Sequence, residues 1–333
     1  MELTAALVEI SEQTDVAEAR RRAAEIASHL AFDETTGGRV AIAVTEAATN
    51  LLKHARGGQL FVGMACGPSP GLQIVAMDRG SGIRNVPASL RDGISSAGTA
   101  GNGLGAIQRS SNSFDLYTAI GGGTVVAATI FPDSARPPLV CGVSIPAPGE
   151  RICGDGWAAW SAGELTSVFI ADGLGHGAEA AAASRAAIAI FERHAERPAE
   201  QVVGFVHDAL KSTRGAAVAI AELDRRRGVI RYCGLGNIGA VIVGPDGSEQ
   251  HLVSLAGIAG HVARRLQSFT YAWLGRALLV MHSDGIGTHW SVSKYPGLAM
   301  RRPDVIAGVI ARDHRRGRDD ATVIVAKQGE AHD

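Results

Sequence analysis

Several features are scarce in this chain, and each scarcity removes a class of function. No run approaches the roughly 18 apolar residues of a membrane-spanning helix, and the N-terminus has no basic-then-apolar leader. A soluble, cytoplasmic protein without a membrane partner is expected. Charge of one sign is also lacking: 32 Lys and Arg balance 33 Asp and Glu, for a net charge of −1. Nothing in that balance suggests a nucleic-acid partner. The arginine clusters at Arg20–Arg22, Arg225–Arg227 and Arg312–Arg318 are short and read as solvated faces or turns. Cysteine is sparse, and Cys66, Cys141, Cys153 and Cys233 have neither metal-ligand nor redox spacing, so they read as reduced core residues. Trp157, Trp160, Trp273 and Trp290 likewise show no ligand spacing and read as core or rim packing. No GxxxxGK[ST] occurs, which excludes a P-loop.

What is present suffices for two domains: 333 residues, 46% of them hydrophobic. Proline concentrates between Pro132 and Gly149, so the boundary is expected near residue 136, separating a domain over 1–135 from one over 139–330. The first reads as helices over 14–30 and 38–55, strands over 59–65 and 72–78, a Gly/Ser/Asn-rich loop, a helix over 103–112, and strands over 114–119 and 124–131. That is an α+β sandwich with helices on one face of a mixed sheet. The second reads as many short strands, including 139–145, 151–153, 157–160, 167–171 and 321–327, with helices over 178–195 and 198–212. A layered α/β/β/α sandwich is expected. The short proline-rich connector predicts that any two activities on this chain depend on one another.

Acidic residues beside glycine or a second aspartate mark the second half: Gly154-Asp155, Asp172-Gly173, Asp284-Gly285 and Asp319-Asp320. Apolar runs (SVFIA, ALLVM, TVIVA) adjoin the last three. A carboxylate next to a core is costly unless compensated. Hard divalent cations supply compensation, since Mg²⁺ and Mn²⁺ prefer carboxylate oxygen. A two-metal site for phosphate-ester hydrolysis is the chemistry such a set suits; singly, each aspartate is an ordinary strand-ending turn.

A second constellation lies upstream. Glu46 and Asn50 stand four apart in a helical pattern and share a face, with Lys53 and His54 one turn on. Asp78 ends an apolar strand and opens Asp78-Arg79-Gly80-Ser81-Gly82. Gly101-Asn102-Gly103-Leu104-Gly105 then precedes a helix, whose N-terminus offers free N–H groups to phosphates. These pieces, with Gly121-Gly122-Gly123-Thr124, resemble in order and spacing the GHKL (Bergerat) ATPase fold over residues 10–131, and within it the RsbT branch of anti-sigma-type serine kinases. The resemblance implies ATP as ligand. Asn50 would hold Mg²⁺ at the phosphates and Asp78 would take the adenine amino group. Gly80, Gly82, Gly101, Gly103, Gly105 and Thr124 would line the nucleotide, Glu46 would be the general base toward a serine hydroxyl, and the loop 84–102 would be the lid. Lys53 and His54 receive no role.

The second half resembles the SpoIIE/RsbX branch of the metal-dependent (PPM) protein phosphatases over residues 139–327. The resemblance is carried by Ile152–Asp155, Ala171–Gly177, Arg214-Gly215-Ala216, Tyr232–Asn237, His282-Ser283-Asp284-Gly285 and Arg318–Thr322. It implies that Asp155 and Asp172 bind both metals, that the Gly173 carbonyl completes one coordination shell, and that Asp284 and Asp319 hold the second metal beside Asp320. The acid histidine of PPM enzymes directly follows the Asp-Gly pair, where this chain has Leu174; His176 reads as a proton donor or as a polar loop residue. The phosphate-gripping arginine of larger relatives has no clear counterpart.

Together the two resemblances imply a partner-switching regulator. A Mg-ATP-dependent kinase half and a metal-dependent phosphatase half would act on STAS-domain proteins, with a sigma factor or stressosome-like complex as further partner. Two alternatives stay open: a phosphatase with an ATP-sensing, non-catalytic N-terminal domain, or an N-terminal module that binds a sigma factor or STAS protein without phosphoryl transfer.

Overall fold

A computed structural model describes residues 5–66, 71–90, 103–132 and 138–328. Most of the lid loop (91–102, with Gly101) and residues 133–137 of the proline-rich connector lie outside the described residues. The chain forms two compact units: Met1–Pro138 with Met300–Arg312, and Leu139–Ala299 with Asp313–Asp333.

The first unit contains β1 (Ala5–Ile10), α1 (Gln13–His29), α2 (Glu34–Ala55), β2 (Gly58–Ala65), β3 (Gly71–Met77), α3 (Val86–Ser89), α4 (Gly103–Ser110), β4 (Ser113–Ala119) and β5 (Gly123–Ile130). The sheet runs β1-β2-β3-β5-β4, with every pair antiparallel. The mixed sheet expected from sequence is therefore corrected: short connections join β2 to β3 and β4 to β5, and the longer helical connections bring β1 beside β2 and β5 beside β3 in the antiparallel sense as well. That strand, β1, was not expected. It is a short edge strand with two buried residues, Val8 and Ile10, too little for a clear period-two signal.

Helix α2 begins at Asp33, whose carboxylate accepts the Thr36 N–H at 2.8 Å, and ends at Arg56 in the left-handed region (φ 61°). Its buried residues Val40, Ala43, Val44, Ala47, Ala48 and Leu51 follow helical three–four spacing. They pack on one face of the sheet with Leu60, Val62, Ile74 and Ala128. The opposite face carries Val75, Met77, Val125 and Ala127, also buried. The C-terminal segment Met300–Arg312 belongs to this unit. Its helix begins at Pro303, and a Cβ on Gly308 would lie 2.8 Å from Val125 and from Val75. Glycine is required there by close approach. The Arg302 N–H donates to Asp115 at 2.8 Å, and Arg312 donates to the Asp78 carbonyl at 2.9 Å.

The second unit contains β6 (Val140–Ile145), β7 (Asp155–Ala162), β8 (Leu165–Gly173), α5 (Ala178–His194), α6 (Ala199–Ala209), β9 (Ala216–Asp224), β10 (Val229–Leu235), β11 (Gly239–Val243), β12 (Glu249–His251), β13 (Ser254–Leu255), β14 (Phe269–Ala272) and β15 (Leu278–His282). Helix α7 (Pro303–His314) then leads to β16 (Ala321–Lys327). One sheet runs β13-β10-β9-β8-β7, with β14 also on β10, and the other runs β12-β11-β15-β16-β6. Their facing sides meet in an apolar core that includes Val168, Ile170, Ala219, Ile242, Leu279 and Ile324. Helices α5 and α6 cover the outer face of the first sheet through Ala187, Phe191, Val202 and Val206. Helices and two packed sheets form the layered sandwich expected from sequence. The strand expected at 151–153 is absent: that stretch is a turn leading into Asp155, which opens β7 instead of closing a run.

Two candidate sites, one in each unit

In the first unit, β3 delivers Asp78 and α2 delivers Asn50 to one cavity of about 600 Å³. Asp78 is held from two sides: its Oδ1 accepts the Gly80 N–H at 2.7 Å and the Thr124 N–H at 3.1 Å. Burial pushes its carboxyl up, against those two hydrogen bonds and the nearby Arg312 charge, which pull it down. Glycine at 123 is forced by φ 76° and by the Asp78 carbonyl, which a Cβ would strike at 2.1 Å. Asn50, Asp78, Gly82, Gly103 and Thr124 line the cavity, and so do Lys53 and His54, which sequence reasoning left without a role. The Asn50 Nδ2 is buried with no hydrogen-bond partner, a donor aimed at something the protein does not supply. Glu46 is half-buried on α2, but it is not among the residues of the cavity wall, nor are Gly80 and Gly105.

In the second unit, four strand ends deliver the carboxylates. Asp155 opens β7 and Asp172 lies near the end of β8, directly opposite in the antiparallel register. Asp284 follows β15 and Asp319-Asp320 precede β16, whose pairing sets His282 against Val323. Each sheet therefore contributes at least two carboxylates to one end of the sandwich. Close packing holds the backbone there: a Cβ on Gly285 would lie 1.9 Å from the Asp320 carbonyl, and one on Gly173 would lie 2.2 Å from the Ala180 carbonyl. Burial, then its neighbours Asp155, Asp284 and Asp319, push the Asp172 carboxyl well up. Burial, opposed by the Ser283 hydrogen bond and assisted by the Asp320 and Asp319 charges, raises Asp155. Asp284 is raised by burial and by Asp319.

Among the described residues, no three acidic, His or Cys side chains are gathered closely enough to hold a metal ion as they stand. The electrostatics nonetheless fit a cation. Asp155, Asp284 and Asp319 act as like charges on Asp172, and Asp319 acts on Asp155 and Asp284; carboxylate oxygens are the donors that Mg²⁺ and Mn²⁺ favour. Asp320 faces elsewhere, accepting the Ala147 N–H at 2.8 Å. It latches the turn before Asp155, while its Oδ2 stays buried without a partner.

Sequence reasoning quoted Ser283 and Asn237 within motifs but gave neither a role. The Ser283 hydroxyl donates to Asp155 at 2.6 Å, and Asn237 donates to Asp284 at 2.6 Å. His176 is exposed, with its Nδ1 2.7 Å from Glu150. A Cβ on Gly175 would lie 3.1 Å from the Arg214 guanidinium, which pairs with Glu179. That puts a cation beside the loop that follows Asp172. Cys141 and Cys233 are buried, Cys66 and Cys153 half-buried. No helix among the described residues is long and apolar enough to cross a membrane.

Comparison with known proteins matches the two halves of the chain to different families. Residues 10–130 match the family described as Histidine kinase-like ATPase domain, and residues 162–289 match Stage II sporulation protein E (SpoIIE). Serine/threonine-protein kinase RsbT of Bacillus subtilis (strain 168) is 32% identical over 122 residues, covering 36% of this chain and 92% of that protein. Phosphoserine phosphatase RsbX of the same organism is 25% identical over 138 residues, covering 41% of this chain and 69% of that protein. A structure solved in work on the bacterial stressosome, a modular system adapted to control secondary messenger signalling, superposes with a TM-score of 0.53 at 29% identity, over 56% of this chain and 97% of that one. RsbX in complex with magnesium superposes with a TM-score of 0.50 at 21% identity, over 57% of this chain and 96% of that one, a likeness of fold alone.

Proposed function

Because the chain belongs to the histidine kinase-like ATPase family of RsbT and carries a SpoIIE-type PPM phosphatase domain after it, we propose that it is a partner-switching regulator that removes phosphate from serine or threonine of a STAS-domain protein and binds Mg-ATP in its first unit. The observation that carries the phosphatase reading is the placement of Asp155 and Asp172 on one sheet and of Asp284 and Asp319 on the other at one end of the sandwich, near enough to act as like charges on Asp172. Asp155 and Asp172 would hold both cations, the Gly173 carbonyl would complete one shell, and Asp284 and Asp319 would hold the second. Mg²⁺ or Mn²⁺ bound there supplies a water nucleophile at neutral pH and neutralises phosphoryl charge. The chain's own contribution is orientation: strand ends fix the carboxylates. Release of phosphate from a phosphoserine protein should require Mg²⁺ or Mn²⁺ and should be lost in Asp284→Asn.

In the first unit, Asp78 would accept the adenine amino group, and Asn50 would reach the ion at the phosphates. The ion would be held through the amide oxygen, while the unpartnered buried Nδ2 is a donor that suits a phosphate oxygen. Whether phosphate is then transferred turns on Glu46. It lies one turn before Asn50 on α2, and in the second reading the unit senses ATP without transferring phosphate. Labelled ATP with a STAS protein separates the two: labelling of the protein, lost in Glu46→Ala with ATP binding retained, supports transfer, and binding without labelling supports sensing.

A further inference from the structure

The two carboxylate pairs sit on two different sheets, and an apolar core joins those sheets. Apolar packing is non-directional and does not by itself fix one sheet against the other to a few tenths of an ångström. Ligand sets need that accuracy. Two side-chain hydrogen bonds supply direction at this end of the sandwich.

Ser283 is fully buried at the end of β15. Its N–H donates to the Thr322 carbonyl at 3.1 Å, and its Oγ accepts the Thr322 N–H at 2.9 Å. Both bonds tie it to β16 in its own sheet. With Oγ already accepting, its one proton goes to the Asp155 Oδ2 at 2.6 Å, on β7 of the other sheet. That length is typical of a hydroxyl donating to a carboxylate. On the other pair, Asn237, in the turn between β10 of one sheet and β11 of the other, donates its amide to the Asp284 Oδ2 at 2.6 Å. One oxygen of each carboxylate is thereby committed to a neutral donor, which fixes the rotation of the group.

We propose that Ser283 and Asn237 are positioning residues that register Asp155 and Asp284 across the two sheets for cation binding. The proposal rests on the metal-dependent phosphatase reading. Substitutions one bond away from a metal ligand commonly weaken affinity by about 10–100-fold, and loss of that order is expected here.

The test is calorimetric titration of Mn²⁺ into the full-length chain as wild type, Ser283→Ala and Asn237→Ala, with unfolding midpoints in EDTA measured beside it. Both variants should bind Mn²⁺ about tenfold or more weakly; the midpoint in EDTA should stay close to wild type for Asn237→Ala and fall for Ser283→Ala, which leaves the buried Thr322 N–H without its acceptor. At saturating Mn²⁺, kcat for a phosphoserine substrate should return to within about threefold of wild type, because the residues orient ligands and do not touch substrate. Unchanged Mn²⁺ affinity in both variants overturns the proposal, and a shift confined to one removes the other residue from it. If Ser283→Ala does not fold, Asn237→Ala decides, since Asn237 is exposed and its loss costs no core packing. A wild-type chain that binds no Mn²⁺ overturns the phosphatase reading itself.

Discussion

Without a cation, the carboxylate end of the second unit should be a source of instability, and Asp155→Asn should reveal it. Asp155 is 6% exposed, lies opposite Asp172, and is raised by burial and by the Asp320 and Asp319 charges. A folded-state pKa above the unfolded value means that the folded protein binds the proton more tightly. The contribution is therefore least harmful in acid and becomes destabilising as pH rises from the ordinary carboxylate value of about 4 through the raised one. Asparagine keeps the volume and an oxygen to accept from Ser283, and removes the charge. An uncompensated buried charge costs about 3–5 kcal/mol. Partial protonation in the wild type reduces the gain on removing it to roughly 2–4 kcal/mol at pH 8, or about 5–15 °C in a unit of this size. Thermal unfolding in EDTA at pH 5 and pH 8 reads it out. The variant should unfold at higher temperature than wild type at pH 8, with the gap shrinking at pH 5. Mn²⁺ should raise the wild-type midpoint and leave the variant nearly unmoved. A variant no more stable than wild type in EDTA at pH 8 would refute the argument that these carboxylates repel one another in the folded protein.

Asp78→Asn should abolish measurable ATP binding by calorimetry, since it replaces a doubly anchored acceptor; a hydrogen bond to a charged group is worth about 1.5–3 kcal/mol. Gly308→Leu should destabilise the first unit by about 1–3 kcal/mol through overpacking against Val75 and Val125, read as a lowered denaturant midpoint. Truncation at residue 138 should expose Val75, Met77, Val125 and Ala127 and increase dye binding or association, because Met300–Arg312 is missing from the unit it belongs to. Asp320→Ala should weaken the second unit by about 1–3 kcal/mol by releasing the Ala147 N–H.

The acidic positions were legible because each stands beside a glycine or a second aspartate that a tight backbone approach demands, as at Gly285 against the Asp320 carbonyl. Helix α2 was legible from its three–four burial spacing. Helix α7 was not: ten of its twelve residues, Pro303–Arg312, are buried, so no polar face gives it a period. Its assignment to the first unit depends on contacts some 230 residues away in sequence, such as Arg312 to Asp78. Strand β1 lacked enough buried residues to declare itself. Ser283 was in plain view within a quoted motif, but its role exists only once the two sheets pack and bring it to Asp155 of the other sheet. The polarity of the Gln73, Ser113 and Thr129 side chains, buried with unpaired atoms on the sheet of the first unit, also had no counterpart in the sequence pattern.

The most direct measurement is phosphate release from a phosphoserine-bearing STAS protein by the full-length chain, with Mg²⁺, with Mn²⁺ and in EDTA, in wild type and Asp284→Asn. Release with either cation, none in EDTA and little in the variant is the predicted result. Undiminished release in EDTA, or full activity in Asp284→Asn, would contradict the assignment of the four strand-end carboxylates as a metal-dependent phosphatase site.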